Sequence, residues 1–133
     1  MDRKPFISVV IPTLNEEKYL HLPLESFTKQ TYNNFEVIVT DGNSTDHTHQ
    51  IAKKFSARVV NSNNTTVTMA RQKGADAARG DIIVGADADT RYPPDHLERI
   101  VNHFADHPEV VAVGSGGIFE SKPWWCYWGW HIN

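Results

Sequence analysis

The chain has 133 residues, 40% hydrophobic and 22% charged, with a formal net charge of -3. That is enough for one domain around one core, in the composition range of soluble globular proteins. The acidic balance, without a long run of one sign, excludes a dedicated nucleic-acid binder, and the single Cys126 excludes an internal disulfide or a multi-thiolate zinc site and fits a reducing, cytoplasmic compartment.

The opening "MDRKPFISVVIP" places basic residues before an apolar run too short for a signal peptide. No run approaches the roughly 20 apolar residues of a membrane-spanning helix. "FISVVIP" (6–12) reads as a strand buried on both faces, closed by Pro12. "NEEKYLHLPLESFTKQ" (15–30) predicts a helix capped by Asn15, with Pro23 as a candidate kink. "FEVIVT" (35–40) is a second strand, and "DGNSTD" (41–46) a turn whose Ser44 or Thr45 caps a helix over 46–55.

"ARVVN" (57–61) is a third strand and "SNNTT" (62–66) a polar loop. A helix follows over 67–78, with Gly74 as a mild flaw. "RGD" (79–81) turns into the strand "IIVGA" (82–86). "DADTRYPP" leads to a helix over 95–107, stopped by Pro108, and "VVAVGS" (110–115) predicts a fifth strand. Strands alternating with helices mean a mostly parallel, Rossmann-like α/β sheet with helices on both faces. Ligands of such sheets bind beyond the carboxyl ends of the strands. There this chain places "PTLNEE", "DGNSTD" and "DADT".

Asp87 and Asp89 are two residues apart at a strand end, so in extended backbone both carboxylates face one way. A divalent cation would relieve their repulsion. Oxygen-only ligands suit Mg²⁺ or Mn²⁺, which completes its shell with water and substrate phosphate. Two solvated loop aspartates are the other reading, and both stay open on spacing alone. Asp41 can accept from a ribose hydroxyl or a base N–H, or close an Asx-turn. Asp46 suits the first turn of the following helix and reads as structural. Gly42 permits a positive φ or a close ligand approach, and also fits an ordinary turn. Arg71 can reach a base, a phosphate or an aspartate, or lie exposed, and Lys73 reads as surface. His47 and His49 diverge on a helix, and His103 and His107 lack the glutamate of a zinc hydrolase helix. "GSGG" (114–117) reads as a bend, and no phosphate-binding glycine motif or nucleophile elbow occurs.

Three ordered stretches, "SVVIPTLNEEKYL", "VIVTDGNSTDHT" and "ARQKGADAARGDIIVGADADT", resemble the N-terminal half of glycosyltransferase family 2 over about residues 6–115. The resemblance implies the GT-A fold, a nucleotide-diphosphate sugar donor and inverting transfer to an acceptor hydroxyl. It implies a nucleotide-sugar pocket of Pro12, Thr13, Glu16, Asp41 at the base, Arg71, and Asp87 at the ribose, with Asp89 on the metal. Gln72 stands where the family often has Asn, and Thr90 where it often has an acid. The family's catalytic base lies well downstream, so the expectation is a donor-binding domain over 1–115 followed by an aromatic tail over 116–133, with the acceptor-binding half and its base missing. Glu120 is the one late candidate for the base.

The tail "KPWWCYWGWHIN" holds all four tryptophans. It offers an apolar patch for packing, for self-association or for a membrane surface at the cytoplasmic face. Two other functions fit parts of the sequence. A haloacid-dehalogenase-type phosphatase also ends a strand with Asp-x-Asp, but on its first strand and with Thr where this chain has Arg91. A non-catalytic nucleotide-binding module would share the donor site and bind without turnover. The sugar, the base and the acceptor stay unspecified.

Overall fold

The structure is a computed structural model that describes residues 3–63 and 65–114. Strands and helices alternate: β1 (Ile7–Thr13), α1 (His21–Thr28), β2 (Phe35–Asp41), α2 (Thr48–Lys54), β3 (Arg58–Asn61), α3 (Val67–Ala77), β4 (Ile82–Gly85) and α4 (His96–Asp106). The four strands form one parallel sheet in the order β3-β2-β1-β4. The chain steps outward from β1 to β2 and β3, then returns through α3 to the far side of β1. That reversal puts a crevice at the carboxyl ends of the central strands.

Side chains alternate across a strand, and both faces of β1 are apolar enough to be covered. Ile7, Val9 and Ile11 point to one face, joined by Val39 and Val84, and pack with Leu20, Leu24 and Phe27, Ala52 and Leu97. Val10 points to the other, under α3. At Gly74 of α3 an added Cβ would lie 2.2 Å from Val10 Cγ1 and 2.9 Å from Thr40 Cγ2. This glycine is therefore the contact point that lets the helix sit down on the sheet, rather than a flaw in the helix.

Other local expectations also change. Helix α1 begins at His21, not near Asn15. Asn15 has φ 55°, and its Oδ1 accepts from Thr45 N at 2.8 Å, so it ties two loops together instead of capping. Pro23 falls in the first turn, where no helical N–H bond is lost. The start of α2 is held by Asp46, whose Oδ1 accepts from Thr48 N at 2.9 Å, while Ser44 turns away to Asp41. Thr66 caps α3 by accepting from Met69 N at 3.3 Å.

The fifth strand does not form over residues 110–114, and Val111 is 95% exposed. Apolar side chains favour a strand only where a neighbouring ladder and a covering layer exist, and the described residues supply neither here. Ser115, Glu120 and the tryptophan-rich tail lie outside the described residues.

Candidate functional site

The loops after all four strands and the start of α3 line one cleft of about 420 Å³. Pro12, Thr13, Leu14 and Glu16 come from β1, Gly42 from β2, Ser62 and Thr65 from β3, and Asp87 to Thr90 from β4. Val67, Ala70 and Arg71 face in from α3.

The β1 and β2 loops are fastened to each other by backbone groups. Gly42 N donates to Thr13 O at 2.9 Å, Asn15 N to Ser44 Oγ at 2.8 Å, and Glu16 N to Thr48 Oγ1 at 2.8 Å. Glu17 N donates to Asp46 Oδ2 at 3.1 Å. Burial pushes the Asp46 carboxyl up, but its bonds from Thr48 and Glu17 outweigh that and hold it below the ordinary range. Asp46 is thus structural, as its position in the sequence indicates. Gly42 has no positive φ and serves as a close-packed turn residue beside Thr13.

Asp41 is buried at the end of β2. Its Oδ1 accepts from Thr13 Oγ1 at 3.0 Å and from Ser44 Oγ at 2.5 Å, and its Oδ2 from Ser44 N at 3.0 Å. An ionised carboxylate offers about four lone-pair positions, so one remains for a ligand N–H or O–H.

Beyond β4 the burial alternates: Ala86 and Ala88 are buried, Asp87 and Asp89 exposed. Both carboxylates therefore stand on the solvent side of the same short segment. Arg71 Nη2 donates to Asp87 Oδ1 at 2.6 Å, with side chains 41% and 61% exposed. Gly85 makes room for this guanidinium, since a Cβ there would lie 3.3 Å from Arg71 Nη1. Asp89 accepts from the adjacent Thr90 Oγ1 at 3.2 Å. Glu16 completes the acidic group: burial first, and then the charges of Asp89 and Asp46, push its carboxyl above the ordinary range.

This donor set is all oxygen. Among the described residues no cluster of three or more His, Cys, Asp or Glu side chains is arranged around a cation. One or two carboxylates with open positions for water and phosphate are what Mg²⁺ or Mn²⁺ requires, and Asp89 with Glu16 or Asp87 fits that demand. A preformed three-ligand cage is absent among the described residues, so the site does not resemble a structural metal centre. The histidine pairs stay apart from it. His47 pairs with Glu17 at 2.8 Å, and the rings of His103 and of His107, which caps the C-terminus of α4, stack 4.5 Å apart.

Several cleft residues have no signal in the sequence beyond lying at strand ends. Ser62 and Thr65 belong to the stretch read as polar loop. Their hydroxyl oxygens are buried on the cleft wall without a hydrogen-bond partner among the described residues. Lys73 braces this wall rather than lying free, donating to Ser62 O at 3.1 Å. Leu14 and Val67 line the same space yet are 56% and 61% exposed. Tyr92, five residues after Asp87, accepts from Asp87 N at 2.8 Å.

Among the described residues no helix is long and apolar enough to cross a membrane. A glycosyltransferase of PGL/p-HBAD biosynthesis from Mycobacterium bovis is 36% identical over 125 residues, covering 88% of this chain and 48% of its own length. The Staphylococcus aureus protein TarS, solved with UDP, superposes with a TM-score of 0.73 at 29% identity, covering 77% of this chain and 33% of its own. The mannosyltransferase PcManGT of Pyrobaculum calidifontis, solved with GDP-Man and Mn²⁺, gives 0.73 at 28% identity, with coverages of 79% and 34%. The chain spans less than half the length of these curated relatives and solved structures. The GT-A architecture is thus shared, and the family model for glycosyl transferase family 2 matches residues 8–132. With the strand-end carboxylates and the sheet order pointing the same way, the chain belongs to glycosyl transferase family 2.

Proposed function

We propose that this chain is the donor-binding part of an inverting glycosyltransferase that takes a nucleotide-diphosphate sugar with Mg²⁺ or Mn²⁺. One observation carries the reading: Asp87, Asp89, Glu16 and Arg71 converge on one cleft at the switch point of a family 2 sheet. Asp41 receives an N–H of the base through its remaining lone pair. Pro12 and Thr13 form the floor beneath the nucleotide. The unpartnered hydroxyls of Ser62 and Thr65, with the exposed flanks of Leu14 and Val67, suit a flat ring with a polar edge.

Asp87 faces the ribose and is held there by Arg71. Asp89 holds the cation, which when bound neutralises the charge developing on the leaving diphosphate. Glu16 adds negative charge to the same corner and strengthens its hold on a cation. The acceptor hydroxyl must lose a proton to a base, and we place that base outside the described residues. TarS with UDP and PcManGT with GDP-Man and Mn²⁺ support this class of ligand. The acidic cleft and family membership leave the phosphatase reading without support, whereas a binding module without turnover would share every feature named above.

A thermal-shift series with UDP and GDP, each with and without Mn²⁺, tests the proposal. Ligand at about 100 times its Kd should stabilise the fold by about 2.7 kcal/mol. The Mn²⁺-dependent part of the shift should vanish in Asp89→Ala. No shift with any nucleoside diphosphate, or a full shift retained in the variant, overturns the reading. Transfer assayed alongside separates a transferase from a binding module.

A further inference from the structure

The segment after the paired aspartates is built as a brace. Gln30 Nε2 on the C-terminal side of α1 donates to Pro93 O at 2.8 Å, and Gln30 Oε1 accepts from Leu97 N at 3.0 Å. Thr31 N donates to Pro94 O at 2.8 Å, and Thr31 Oγ1 to Glu98 Oε2 at 2.8 Å. Ser26 Oγ accepts from Tyr92 N at 3.1 Å while donating to Leu22 O at 2.8 Å. The Tyr92 ring stacks on Phe27 at 5.1 Å and against His96 at 4.8 Å. The ring is thus fixed from its backbone and by two neighbouring rings, and its hydroxyl reaches back to Asp87 N at 2.8 Å.

From this geometry we infer that Tyr92 is a positioning residue for the metal-dependent donor site, setting the backbone from which Asp87 and Asp89 project. The inference rests on the proposed function. Asp87 and Asp89 are exposed and lie beyond the last residue of β4, past the bond that Ala86 N donates to Val10 O at 2.9 Å. Arg71 holds only the Asp87 side chain, through a pair more than a third exposed. Ala86 and Ala88 anchor the segment in the core on either side, and the phenol adds the hydrogen bond that fixes the Asp87 N–H between them. Groups that hold ligands in place change metal affinity by about 10- to 100-fold when removed. Tyr92→Phe deletes one oxygen and keeps the ring stack, so it separates positioning from packing.

The test compares wild type and Tyr92→Phe in the full chain, with UDP and GDP as probes, with and without Mn²⁺. Hydrogen exchange at the Asp87 amide is read in parallel. The expected result is faster exchange at Asp87 and about 10-fold weaker nucleotide binding with Mn²⁺. Binding without Mn²⁺ should change less than about twofold, and the Tm should stay close to that of wild type. Equal losses with and without Mn²⁺, or unchanged binding and exchange, overturn the inference. Wild type that binds no nucleotide with Mn²⁺ overturns the proposed function and this inference with it. Wild type that binds, beside a variant that matches it, overturns this inference alone.

Discussion

At the scale of single residues, the cleft is a problem in crowding negative charge. Glu16 shows it most clearly, because its carboxyl is pushed up by burial and then by Asp89. A carboxyl raised in the folded state costs stability above its folded pKa. That cost fades as pH falls through the folded value and is gone below the unfolded one. Glu16→Gln should therefore raise stability at neutral pH, by up to about 1 kcal/mol for a half-buried group, and the gain should vanish in acid. Denaturation midpoints across pH would check it. Asp89→Asn should bring the Glu16 titration, followed by carboxyl NMR, part of the way back toward its ordinary value. A Glu16 titration unmoved in that variant would mean the two carboxylates do not face each other. Asp87 and Asp89 were legible because period-two spacing and a strand end fix where they stand. The Arg71–Asp87 pair was only one of several contacts open to a helix arginine. Tyr92 was invisible, since an aromatic beside two prolines gives no sign that its hydroxyl folds back to a backbone N–H.

At the scale of elements, short-range rules work where they agree with the layer above and fail where tertiary contacts compete. The four strands and four helices follow chain order as periodicity predicts. The start of α1 was misplaced because Asn15 has a better use, joining the β1 loop to the β2 loop. Residues 110–114 carry strand-forming side chains without a ladder to join among the described residues. Gly74 shows the competition in numbers. Alanine there would gain about 1 kcal/mol in helix propensity. It would also place a methyl 2.2 Å from Val10 Cγ1, and overpacking of this kind costs about 1–3 kcal/mol. The sheet contact should win, because the obstacle includes Thr40 as well as Val10. Gly74→Ala should lower the urea midpoint with an unchanged m-value. A raised midpoint would show that α3 lifts away from the sheet at little cost.

At the scale of the whole molecule, the polar groups collect at opposite ends of the strands. The amino end holds a network in which Glu36 accepts from Ser8 Oγ at 2.7 Å, Arg79 N at 3.1 Å and Arg58 at 3.1 Å. Ser8 Oγ also accepts from Gly80 N at 2.9 Å, pinning the turn into β4. Burial pushes the Glu36 carboxyl up, but these bonds together prevail and hold it below the ordinary range. A depressed carboxyl contributes stability that is present above its unfolded pKa and lost as pH falls through the folded value. Glu36→Gln should cost about 1.5–3 kcal/mol at neutral pH. It should also flatten the acid side of the stability profile, and an unchanged profile would show the network to be idle. Ser8 lies five residues before Thr13 on β1, about 16 Å along the strand from the cleft. That distance separates two tasks. One pole of the sheet carries a hydrogen-bonded network that anchors the fold, and the other carries the cleft. Side chains at the cleft can change without touching that anchor, because distant sites act independently, and one scaffold can serve many chemistries.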